Sequence, residues 1–127
     1  MAKLRIITNN PMAKAKYKSL AEFHGSGGVL GVFTACRDAV HMGAALISHP
    51  LAGSVKPNIN PYKSVVLSSE KPGTDLSSLQ IIEDALAVLR KLGERAVNYG
   101  GAAREFQLID LELLDSAMAS LRNGYYA

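Results

Sequence analysis

Apolar and polar positions along the chain alternate in short blocks, and the blocks predict strands and helices in turn. "KLRIIT", Lys3 to Thr8, alternates and then becomes β-branched, the pattern of a half-buried strand. "NNP" breaks it with turn chemistry, and Met12 to Phe23 is rich in helix formers. "HGSGG" predicts the end of that helix. "VLGVF", Val29 to Phe33, has the length and content of a second strand, followed by a helix over Ala35 to Met42 that Thr34 can cap and Gly43 can end. "AALIS", Ala44 to Ser48, reads as a third strand and Tyr62 to Ser69 as a fourth. Leu79, Ile82, Leu86 and Leu89 recur on one helical face, with Ser77 and Gln80 at capping-box spacing and room to continue to Val97. "EFQLI", Glu105 to Ile109, predicts a fifth strand, and Asp110 a cap for a last helix through Leu111, Leu114, Met118 and Leu121.

This alternation predicts a single α/β domain over residues 1–127: a three-layer sandwich around a mostly parallel sheet of four or five strands, Rossmann-like or flavodoxin-like in its element count. Strand four is open in direction, because no helix separates it from strand three. What joins them is "HPLAGSVKPNINPYKS", His49 to Ser64, long, polar and proline-rich. Ordered connections of that length are uncommon unless they serve a function.

In open α/β sheets, ligands gather beyond the carboxyl ends of the strands. Those ends offer Asn9 and Asn10 after strand one, Thr34 after strand two and His49 after strand three. Gly53, Ser54 and Lys56 in the loop suit an anion, through backbone amides, a hydroxyl and a cation; as a plain alternative, the prolines stiffen a surface connection. The loop lacks Walker spacing and there is no G-x-G-x-x-G motif. Arg37 and His41 stand one helical turn apart and with His49 could form a cationic cluster, or Arg37 is simply exposed and His41 partly buried; Tyr62 and Lys63 complete the candidate ligand-binding set.

Charge sharpens that picture. Up to Lys63 there are eight Lys/Arg against two acids, whereas the remainder has six against nine. A positive first half suggests a small anionic ligand; a dense basic stripe interleaved with aromatics, the mark of nucleic-acid binding, is lacking. No stretch has the length of a membrane span or a signal peptide, so a cytoplasmic protein is expected. The lone Cys36 excludes an internal disulfide and a multi-cysteine zinc site. At the start of its expected helix it could be an activated thiol beside Arg37, with His41 or His49 as base, or simply a packed core residue. The histidines lack a carboxylate at metal-site spacing, and no cofactor is called for.

The run from Arg37 to Ser64 resembles the GrdX family, small proteins encoded beside clostridial glycine reductase genes. It holds R-D-x-x-H-x-G and then H-P-L-x-G-S-x-K-P-x-x-x-P-Y-K-S. The opening strand ending "TNNP" and the length are also similar. Ala52 and Ile59-Asn60 depart from the Ser and Glu-Thr of relatives, so a hydroxyl and a carboxylate are missing here. The resemblance implies a non-enzymatic accessory protein of an amino-acid-reducing system of anaerobes, with reductase components as partners. Two alternatives stand beside it: a small enzyme or sensor acting on a phosphate- or carboxylate-bearing metabolite, and a homodimer built on the loop.

Overall fold

A computed structural model describes residues 3–52, 60–93 and 102–122. Strand β1, Leu4–Thr8, is followed by helix α1, Pro11–Tyr17, a 3₁₀ turn over Lys18–Leu20 and strand β2, Ala21–Phe23. Helix α2 spans Gly28–His41, strand β3 Ser64–Ser68, helix α3 Leu76–Leu92 and helix α4 Ala103–Arg122. The sheet has three strands in the order β2-β1-β3. β2 is parallel to β1, and β3 is antiparallel to it with Thr8 opposite Ser64 and Ile6 opposite Val66.

Alternation along the strands sends side chains to two cores. Ile7, Val65 and Leu67 join Val32, Phe33, Cys36 and Val40 of α2 and Ile82, Leu86 and Leu89 of α3. Ile6 and Val66 face the other way, against Ala13 of α1 and Leu114 of α4. The sheet is therefore covered by α2 and α3 on one face and by α1 and α4 on the other.

This corrects the expected architecture. A mixed three-stranded sheet with a single parallel pair is not the four- or five-stranded, mostly parallel sheet of a Rossmann-like or flavodoxin-like domain. Two expected strands are helical. Val29–Phe33 lies in α2, where Val29, Val32, Phe33, Cys36, Ala39 and Val40 are buried at helical spacing. Glu105–Ile109 lies in α4. A short apolar run is equally a strand or a slice of a buried helix until its neighbours are counted.

The expected third strand is reduced to one antiparallel bridge, Leu46 to Leu67. Ile47 and Ser48 both donate backbone amides to Val66 O, and Ser68 N donates to Ala45 O. Serine hydroxyls take over the rest: Ser68 Oγ accepts from Ala45 N, Ser78 Oγ from Leu46 N and Ser48 Oγ from Val66 N. Side chains thus hold the segment on the sheet edge where a carbonyl ladder would otherwise run.

The helix expected to reach Phe23 stops at Tyr17, and residues 21–23 hydrogen-bond to β1 instead. "HGSGG" opens α2, with Gly27 in the left-handed region as its N-cap. Gly31, one turn on, is packed so closely that a Cβ there would sit 2.9 Å from Ser26 O. α3 is capped by Asp75, which accepts from Ser78 N at 3.2 Å, and ends at Gly93. Among the described residues, no helix is long and apolar enough to cross a membrane.

Candidate functional site

The residues at the carboxyl end of β1 form a connected polar cluster under α4. Asn10 caps α1, its Oδ1 accepting from Met12 N at 3.0 Å, with Pro11 at the first helical position. Its Nδ2 donates to Gln107 O and to Asp110 Oδ2, both at 2.9 Å. Ser64 Oγ donates to the same Asp110 oxygen at 2.6 Å and lies 2.7 Å from Thr8 Oγ1. Thr8 Oγ1 in turn accepts from Asn10 N at 2.9 Å. Asp110, 4% exposed, thereby joins α4 to β3 through Ser64 and to the α1 cap just after β1 through Asn10.

Asn9 fixes the return of the long loop. Its Oδ1 accepts from Lys63 N at 2.8 Å, its Nδ2 donates to Pro61 O at 2.8 Å, and its backbone amide donates to Lys63 O. Asn60 closes a local turn through Tyr62 N and donates to Phe106 O of α4. Lys63 is carried into the interior and is 5% exposed. Burial pushes its ammonium below the ordinary lysine range, while the negative charge of Asp110 opposes that shift.

Beside this cluster lies a cleft of about 70 Å³, bounded by Ser48, His49, Pro50, Lys63, Ser64 and Asp110, with Leu113 and Ala117 of α4 as an apolar wall. His49 is exposed at its mouth, and its Nδ1 accepts from Leu51 N at 3.0 Å. Of the sequence candidates, His49 and Lys63 line the cleft, while Asn9, Asn10 and Tyr62 belong to the hydrogen-bonded segments beside it and do not line it. Gly53, Ser54 and Lys56 lie outside the described residues.

Thr34, Arg37 and His41 sit elsewhere, on α2 across the sheet. Thr34 lines a separate open groove of about 430 Å³ with His24, Leu30 and Asp38. Arg37 is partly exposed beside Asp38 at 3.7 Å, and His41 faces solvent. Cys36 is fully buried in the α2–α3 core, and burial drives its thiol far above the ordinary range. A thiol held neutral in this way does not serve as a nucleophile. Among the described residues no group of three or more His, Cys, Asp or Glu is placed to hold a metal.

The uneven charge of the two halves has an internal counterpart. Arg5 grips Glu22 through two bonds, Nε to Oε2 at 2.6 Å and Nη2 to Oε1 at 2.9 Å, and reaches Glu70 at 3.3 Å. Lys16 pairs with Asp115 at 2.8 Å, and Lys63 lies within the field of Asp110. Apart from Glu22, which belongs to the first half itself, acids of the second half thus answer bases of the first. The Arg5 clamp holds the Glu22 carboxyl below its ordinary range, so its stabilisation is complete above the unfolded carboxylate value and is lost as pH falls through the folded one. Glu22 is 40% exposed, and with solvent screening Arg5→Met is expected to cost about 1 kcal/mol at pH 7. Urea unfolding should show that difference steady from pH 7 to 5 and closing at pH 3.

Asp110 is the residue that sequence reasoning placed differently, as a helix cap. Its signal was spacing: residues 110, 114, 117, 118 and 121 share one face of a helix, so an aspartate heads an apolar stripe.

A family model described as GrdX-like protein matches residues 5–119. No curated protein and no solved structure matches the chain.

Proposed function

The chain belongs to the GrdX-like family, and from that premise we propose that it is a non-enzymatic accessory protein of a glycine (amino-acid) reductase system, holding a small carboxylate-bearing ligand in the cleft beside Lys63. The family resemblance supports the first half, through its association with glycine reductase genes. The observation that carries the second is a small cleft bounded by two buried charged side chains, Lys63 and Asp110. Burying charge costs several kcal/mol per ion unless something repays it, and residues placed at such cost beside a cavity are candidates for function. Part of the repayment here is structural, since Asp110 accepts two bonds that join α4 to the sheet.

The cleft is not purely cationic, as the composition of the first half suggested, because Asp110 enters it from α4. No covalent step is assigned to it: the role is to bind and present, in company with a partner that does the chemistry. Affinity capture with the tagged full chain from the lysate of a glycine-reducing anaerobe tests the partnership. Peptides of the reductase components, identified by mass spectrometry and enriched over a tag-only control, are the expected result. Their absence from repeated captures would remove the accessory role.

A further inference from the structure

We infer that the open groove between β2 and α2, on the face of the sheet opposite Asp110, is a docking surface for a basic amphipathic helix of a partner protein.

The groove follows from how the layers are offset. β2 is an outermost strand, and among the described residues none of its side chains enters the core that α2 and α3 build on Ile7, Val65 and Leu67. The sheet therefore overhangs its helical layer on that side. Glu22 stands opposite Ile7 in the register and so projects to the same face. Two hollows, of about 260 and 430 Å³, lie along the overhang and share His24, Ala35 and Asp38, which makes them one groove from Gly27 to Met42. It runs the length of the 14-residue α2, about 20 Å or about four helical turns. Ile7, Ala35 and Ala39 give it an apolar floor, and Met42 closes one end, 65% exposed. Alanines on the α2 side let a second helix axis come close. β2 is three residues long, too short to hold an added strand, so a helix in the groove is the geometry that fits.

Charge names the occupant. Up to Lys63 the chain has two acids, Glu22 and Asp38, and both line this groove together with Glu70. Arg5 bonds to Glu22 and Glu70 and offsets one of those three charges. Arg37, outside the lining, approaches Asp38 at 3.7 Å. An excess of negative charge remains, on a surface built mostly by the basic half of the chain. A second copy docked here about a two-fold axis would set the same acids against each other, because an isologous contact repeats one patch on both sides. A helix with lysine or arginine flanking an aliphatic face instead meets carboxylates at the rim and alkyl carbon on the floor.

Fluorescence anisotropy with a labelled synthetic helix of about 15 residues, leucine and alanine on one face and lysine on the other, tests this on the full chain. Saturable binding is expected. Asp38→Asn combined with Glu70→Gln should weaken it about tenfold, the loss of two exposed charge pairs. Met42→Lys, at an exposed position, should weaken it at least as much, while Glu83→Gln, exposed on α3 outside the groove, should change nothing. Equal binding of the same helix with glutamate in place of lysine, or wild-type binding by the groove variants, would overturn the inference. So would light scattering that showed the protein alone to be a dimer broken by Met42→Lys, since a second copy would then be the occupant. None of these residues lines the cleft beside Asp110, so the result leaves the proposed ligand site to its own test.

Discussion

Gly43→Ala is expected to destabilise the protein by about 4 kcal/mol, enough to leave a domain of ordinary stability marginal. Gly43 follows α2 with φ +106°, a conformation that L side chains rarely adopt. A methyl group built there would lie 1.8 Å from Lys71 O and 2.9 Å from Lys71 C and N. Those atoms are backbone and cannot swing aside. They also belong to the contact that brings the chain past β3 back to the end of α2, where Lys71 N donates to Gly43 O at 3.1 Å. Gly73→Ala is the matching control: its φ is +88°, but nothing lies within 4 Å of the added carbon. It should cost only the backbone strain, about 1 kcal/mol. Urea unfolding of the two variants separates the steric share from the torsional one. Equal midpoints would show that the 43–71 contact yields freely.

Asp110→Ala is expected to cost about 3 kcal/mol, more than a surface carboxylate ever would. The change leaves Asn10 Nδ2 with Gln107 O alone and Ser64 Oγ with Thr8 alone. It also strips Lys63 of the charge that offsets its burial. That last share can be isolated by a double-mutant cycle. Lys63→Met should be more favourable in the Asp110→Ala background than in the wild type, because there it removes a buried cation whose neighbouring anion is gone. Additive effects, within about 0.5 kcal/mol, would mean that the two groups do not stabilise one another. Asp110→Asn keeps one acceptor and should fall between wild type and alanine.

The parts of the fold legible in the sequence are those whose signals are local. β1 and β3 show as β-branched runs between turn residues, and α3 shows by its four leucine and isoleucine positions. "TNNP" displays strand end, cap and first helical residue in four letters, and Asn9 and Asn10 lie where that order puts them. What escaped is set by distant partners. β2 is three residues long, and only its register on β1 makes it a strand. Val29–Phe33 and Glu105–Ile109 have strand-like content in a window of five, and their helical period emerges only over fifteen. The edge segment after Ala44 is tied by the hydroxyls of Ser48, Ser68 and Ser78, bonds that no propensity encodes. Asp110 was legible as a residue with a capping chemistry, but its partners Asn10 and Ser64 are 100 and 46 positions away.

The sequestered sulfur of Cys36 has a practical consequence. It is the chain's only cysteine and has no accessible surface, so alkylating dyes reach it only when the α2–α3 core opens. A cysteine introduced on the exterior can therefore carry a fluorophore or spin label in the native protein without first deleting the natural one.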